Sequence, residues 1–102
     1  MKLIIDCGST KADWVILNGE EVVSKFQTEG FNPNYTDENN ISGIILDNKP
    51  YKTYIQEITE IYFYGTGCGN QENCSLIENV FKSIFLNANI IVTHDLMAAC
   101  HA

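Results

Sequence analysis

Residues 2–28 read KLIIDCGSTKADWVILNGEEVVSKFQT, and the fold follows from how that stretch divides. Lys2 to Asp6 is a short apolar run closed by an acid, the pattern of a buried strand. Cys7-Gly8-Ser9-Thr10-Lys11 reads as a turn, built from residue types that turns favour. Ala12 to Leu17 resumes strand character, with Trp14 and Ile16 on one face and Val15 and Leu17 on the other. Asn18-Gly19 is a strong hairpin signal, because both residues accept positive φ. Val22 to Thr28 is the returning strand. The first third is therefore expected to be a three-stranded antiparallel meander.

Beyond it, Glu29-Gly30-Phe31-Asn32-Pro33-Asn34 is a loop punctuated by Gly and Pro. Thr36 is expected to cap a helix with Asp37 and Glu38 in its first turn, favourable at the positive end of the helix dipole. Ile41, Ile44 and Ile45 fall at helical spacing, although Gly43 weakens the helix and Pro50 interrupts it. Tyr51, Tyr54, Ile55 and Ile58 continue the apolar stripe. Ile61 to Tyr64 reads as a second buried strand, in which Tyr62, Phe63 and Tyr64 cannot all face inward. The loop Gly65 to Asn70 leads into a helix from Glu72 to Phe85, with Leu76, Ile77, Val80, Phe81, Ile84 and Phe85 on its core face. Ile90 to Thr93 is the last strand, and Leu96 to Ala102 starts a further helix. The predicted order is β-β-β-α-β-α-β-α, an α/β domain whose crossovers add parallel strands to the meander.

A chain of 102 residues is one domain, long enough for a real core. Six basic residues, all lysine, stand against thirteen acids for a net charge of -7. That is the wrong sign for a protein that tracks nucleic-acid phosphates or anionic membranes. A small anion is still accessible, because backbone N–H groups and a divalent cation bind phosphate locally. The longest apolar runs are about four residues against the roughly twenty of a membrane span, and no secretion leader opens the chain. Cys7, Cys68, Cys74 and Cys100 form no C-x-x-C pair, so free thiols in a cytoplasmic protein are expected rather than a disulfide framework. Cys68, Cys74, His94, Cys100 and His101 match the spacing of no common zinc module.

Chemistry concentrates in the loops after the first, fourth and fifth strands, the carboxyl ends where open α/β sheets bind ligands. In the first, Gly8 lets a phosphate approach backbone N–H groups, Ser9 and Thr10 add hydroxyls, and Lys11 adds positive charge. Asp6 offers carboxylate oxygens to Mg²⁺. The spacing is not that of a Walker A loop, and an ordinary hairpin turn holds the same residue types. Asp95, at the end of the fifth strand, suits a general base for a hydroxyl nucleophile or an N-cap for the helix that follows. Gly65 and Gly67 permit close approach of a ligand or simply turn the chain. Asn32 can bind a polyol or close an Asx turn.

Four segments together resemble the amino-terminal part of the BadF/BadG/BcrA/BcrD-type ATPase family, in its N-acetylglucosamine-kinase-like branch of the actin, hexokinase and Hsp70 superfamily. They are Ile5 to Trp14, Glu29 to Pro33, Ile61 to Cys68 and His94 to Ala99. The resemblance implies an RNase H-like domain over residues 1–102, with a mixed five-stranded sheet of order 3-2-1-4-5 and helices packed on it. It implies that a second ATPase domain, absent from these residues, completes the ATP cleft. By this likeness Gly8, Ser9, Thr10 and Lys11 contact ATP phosphates and Asp6 supports Mg²⁺. Asn32 and Gly67 contact a small amino sugar, and Asp95 accepts the proton of the attacking hydroxyl. Cys7 departs from a position commonly Gly. Ala12 departs from a common Thr, which removes a hydroxyl near the phosphates.

The function expected is phosphoryl transfer from Mg-ATP to an amino sugar of the N-acetylglucosamine kind, with the isolated chain inactive. The rivals are an activator ATPase that drives electron transfer in radical dehydratases and reductases, and a non-catalytic sugar- or nucleotide-binding module. A sheet face left uncovered by the missing half is also expected to favour a homodimer.

Overall fold

The computed structural model describes residues 1–46, 54, 56–65 and 71–93. In chain order these form β1 (Lys2–Cys7), β2 (Lys11–Asn18), β3 (Glu21–Glu29), α1 (Glu38–Leu46), β4 (Glu60–Gly65), α2 (Gln71–Ile84) and β5 (Asn89–Thr93). The strands make one sheet of order β3-β2-β1-β4-β5, as expected. β1 pairs antiparallel with β2, and β2 with β3; β4 runs parallel to β1, and β5 to β4.

The meander stands, with its second turn shifted by one residue. Asn18 pairs with Glu21, so the turn is Gly19-Glu20 rather than Asn18-Gly19. Only Gly19 takes a positive φ, at 65°. A type II′ turn needs this of its first central residue alone, and glycine meets it without steric cost. The register then slips: Leu17 faces Val22 but Ile16 faces Ser24, leaving Val23 as the extra residue of a bulge.

Strand alternation sorts the sheet into two faces. Leu3, Ile5 and Cys7 of β1, Ala12, Trp14 and Ile16 of β2, and Ile61 and Phe63 of β4 are all buried on one face. α1 contributes Ile41 and Ile45 to that core, α2 contributes Ile77, Val80 and Phe81, and the two helices touch each other. Both helices therefore pack on the same face of the sheet. The opposite face carries half-buried Ile4, Val15, Leu17, Tyr62 and Tyr64. Phe63 is thus the inward member of its aromatic triplet.

Asp37, not Thr36, caps α1: its Oδ1 accepts from the Asn40 N–H at 2.9 Å and its carbonyl accepts from the Ile41 N–H at 3.1 Å. A carboxylate one residue nearer the helix outcompetes the hydroxyl, since it meets the N3 donor and the dipole together. Half of the stripe read from Tyr51 to Ile58 lies outside the described residues. Within it, Tyr54, Gln56 and Glu57 are in turns and Ile58 is fully buried. The helix expected from Leu96 lies outside them too. No helix among the described residues is long and apolar enough to cross a membrane.

Candidate functional site

Because β1, β4 and β5 are parallel, their carboxyl ends emerge on one edge. Cys7 aligns with Gly65, and Asp6 aligns with Tyr64, which aligns with Thr93. Neighbouring strands lie about 4.8 Å apart, so the ends of β1 and β5 are separated by roughly 10 Å. Asp95 follows Thr93 by two positions. Asp95, Gly67 and the rest of the second glycine loop lie outside the described residues.

At the first of these ends Gly8 and Lys11 close the β1–β2 hairpin, with the Gly8 N–H donating to the Lys11 carbonyl at 2.9 Å. Ser9 and Thr10 form the exposed tip. Asp6, Gly8, Thr10, Lys11 and Asp13 line a hollow of about 270 Å³, while Ser9 stays outside the lining. Ligand pockets usually run from about 300 Å³ upward, so the hollow lies just below that range. Lys11 is exposed and makes no ion pair among the described residues. Asp6 sits directly across from Asp13, on the face away from the helices. Like charges so placed repel, and a cation between or beside them relieves that. Gln27 already donates to Asp13 Oδ1 at 2.6 Å, which leaves Asp6 as the freer carboxylate.

Gly8 is not required by backbone conformation, since its φ is not positive, nor by packing, since an added Cβ would meet only the Lys11 carbonyl at 3.4 Å. Ala12 is fully buried on the helix side, opposite the hollow. A hydroxyl at this position would lie on the core side of the sheet.

Cys7 points into the core, and its thiol ties the hairpin to the next loop. The Phe31 N–H donates to Cys7 Sγ at 3.4 Å, and Sγ lies 3.3 Å from the Phe31 carbonyl. Burial pushes the thiol from its ordinary 9.0 up to about 11; the Phe31 contact opposes this and the Asp6 charge adds to it. Below pH 9 the thiol is protonated in both folded and unfolded chains. Between pH 9 and 11 only the unfolded chain loses the proton, so stability falls there, by roughly 2–3 kcal/mol in total. Urea melts at pH 8, 9, 10 and 11 should show Cys7→Ala losing less stability over this range than the unsubstituted chain. Parallel curves would contradict the burial.

Sequence reasoning passed over Gly30. It is buried, and its N–H donates to the Thr10 carbonyl at 3.0 Å. A Cβ there would overlap the Gly8 carbonyl oxygen and lie 2.6 Å from the Lys11 nitrogen and 2.9 Å from the Thr10 carbonyl carbon. The loop of residues 30–32 thus rests backbone-on-backbone against the hairpin. Gly30→Ala should cost about 1–3 kcal/mol or more, because backbone atoms cannot swing aside as a side chain would. Urea denaturation measures it, and an unchanged midpoint would refute the contact. The signal available in the sequence was a Gly 22 positions after Gly8 in a loop with its own Pro; nothing local says what it touches.

Asn32, two residues on, is only 8% exposed. It closes an Asx turn, its Oδ1 accepting from the Asn34 N–H at 2.9 Å, and its carbonyl accepts from the Tyr35 N–H at 2.9 Å. Its NH₂ has no partner among the described residues, a state that costs about 1–3 kcal/mol unless a ligand or water relieves it. Asn73 in the first turn of α2 is equally buried, which the helical periodicity did not suggest.

No protein-family model matches the sequence, and no curated protein matches it. Among solved structures, the chain is similar to a Porphyromonas gingivalis protein described as a "putative N-acetylglucosamine kinase". The TM-score is 0.78, with 31% identity over 90% of this chain. This chain spans 33% of the length of that one.

Proposed function

We propose that this chain is the phosphate-binding first lobe of an ATP-dependent sugar kinase with an RNase H-like fold, acting on an amino sugar of the N-acetylglucosamine kind. One observation carries the reading: Gly30 seats the Asn32 loop directly on the Gly8–Lys11 hairpin. A loop suited to a polyol and a turn suited to phosphate are thereby held together, at the edge of the sheet where the chain leaves β5 toward Asp95. The similarity to the Porphyromonas gingivalis protein supports the same reading.

In this proposal Gly8 leaves room for phosphate oxygens, the N–H groups and hydroxyls of Ser9 and Thr10 donate to them, and Lys11 neutralises their charge. Asp6 would hold Mg²⁺, which draws negative charge from the phosphates when bound. Asn32 and Gly67 orient the sugar. Asp95 accepts the hydroxyl proton as the sugar oxygen bonds to the γ-phosphorus; the bond to the bridging oxygen breaks and ADP leaves. Most of the acceleration comes from positioning and charge neutralisation. Because the chain spans only 33% of the length of the similar protein, the 102-residue chain alone is expected to bind Mg-ATP weakly and not turn it over.

The test is ADP release and sugar-phosphate formation by the full-length protein with Mg-ATP, with and without N-acetylglucosamine. Sugar-dependent ADP release with a phosphorylated sugar supports the kinase. Sugar-independent hydrolysis by a brown protein with an iron–sulfur absorption spectrum would favour the activator ATPase instead. Sugar or nucleotide binding without turnover would leave a binding module.

A further inference from the structure

Asn32 and Asn73 are the buried polar residues of the described core, and a third asparagine joins them. Asn73 Nδ2 donates to Asn34 Oδ1 at 2.8 Å, across 39 positions of sequence. The Asn34 N–H in turn donates to Asn32 Oδ1 at 2.9 Å. A backbone N–H can only donate, so the Asn32 atom facing it is the oxygen. The Asn32 NH₂ therefore lies on the other branch of the amide, with no partner among the described residues. What Asn32 can offer a ligand is thus a donor, and what fixes that choice is the position of Asn34.

Asn34 itself is exposed and sits in a turn. Its side chain is held by Asn73, which the helix α2 carries in its first turn. The hydrogen bond ties an exposed turn to a helix, and a contact group held by a rigid element keeps its orientation better than one held by a loop.

We propose that Asn73 is a positioning residue for ligand recognition: acting through Asn34, it holds Asn32 so that its NH₂ donates to an oxygen acceptor of the sugar, a hydroxyl or carbonyl oxygen. This rests on the sugar-kinase reading above. Asn73 does not touch the ligand, and it acts on sugar affinity rather than on the phosphoryl-transfer step.

The test is a steady-state comparison of single variants in the full-length protein, with N-acetylglucosamine and Mg-ATP varied separately. Asn73→Asp keeps the side-chain size but sets an acceptor against Asn34 Oδ1. It should raise the KM for N-acetylglucosamine about tenfold while moving kcat and the KM for Mg-ATP less than about twofold, the scale of one misplaced hydrogen bond. Asn34→Asp keeps the acceptor that Asn73 needs and should leave the sugar KM near its original value. Asn32→Asp removes the free NH₂ and should raise the sugar KM at least as much as Asn73→Asp. If Asn73→Asp shifts both KM values together and lowers the melting temperature, its role is structural and the inference fails. If Asn73→Asp leaves the sugar KM unchanged while Asn32→Asp raises it, the positioning role is overturned and the sugar-kinase reading stands. If the unsubstituted protein shows no sugar-dependent turnover or binding, that reading fails and the inference falls with it.

Discussion

Asp95→Asn is expected to slow phosphoryl transfer by about 10²–10⁴-fold, the usual contribution of a general base. The substitution separates the two roles that sequence leaves open for Asp95. Asparagine caps a helix about as well as aspartate, so a residue that serves only as a cap tolerates the change. An amide accepts no proton at neutral pH, so a residue that takes the hydroxyl proton does not. Steady-state kcat of the full-length protein with saturating N-acetylglucosamine and Mg-ATP is the measurement, with a thermal melt alongside. A kcat within threefold of the original would mean that Asp95 is a cap and that the hydroxyl loses its proton elsewhere. The last residue of β5, Thr93, is in register through Tyr64 with Asp6, so the chain leaves β5 at the edge where the Gly8–Lys11 hairpin sits.

Phe81→Ala should be the most damaging change in the core. Phe81 is fully buried and lies against three rings: Phe63 at 5.6 Å between centroids, Phe85 at 6.0 Å and Trp14 at 6.1 Å. Trp14 stacks in turn on Phe26 at 5.5 Å, and Phe63 on Phe31 at 5.7 Å. Phe81 is therefore the point at which α2 grips both β2 and β4. Truncation removes the transfer free energy of the ring and leaves a cavity that the rigid aromatic neighbours cannot close. A loss of about 3–5 kcal/mol follows, a large share of the roughly 5–15 kcal/mol that holds a domain folded. Urea denaturation at pH 7 would measure it, with Phe81→Leu as a milder companion that keeps most of the volume. A loss below about 1 kcal/mol would show that the ring cluster is not the centre of this core.

Gly30→Ala and Phe81→Ala probe different things. The first acts where two loops meet and should disturb the candidate site; the second acts beneath the sheet and should loosen the whole domain. Sugar affinity falling faster than stability in Gly30→Ala, and in step with stability in Phe81→Ala, is the pattern expected if the loops carry recognition and the core carries only the fold.

What the amino-acid order determined alone was the local part. Short apolar runs marked β1, β2 and β4 as strands without saying which face lies inward, and the spacing of Ile77, Val80 and Phe81 made α2 a helix with a core face. Such patterns are legible because near neighbours in the chain set them. Two of the errors were one residue in size, at the β2–β3 turn and at the cap of α1, whereas the helical stripe carried on to Ile58 meets turns at Tyr54, Gln56 and Glu57. What only the tertiary structure decided was which distant backbone lies against which. Gly30 reads as loop punctuation until it is seen resting on Gly8, Thr10 and Lys11. Asn73 reads as a polar helix residue until its amide is seen reaching Asn34, and only that contact fixes which end of Asn32 is left to a ligand. Periodicity carries no information about such meetings, because they depend on how separate loops cross once the sheet has closed.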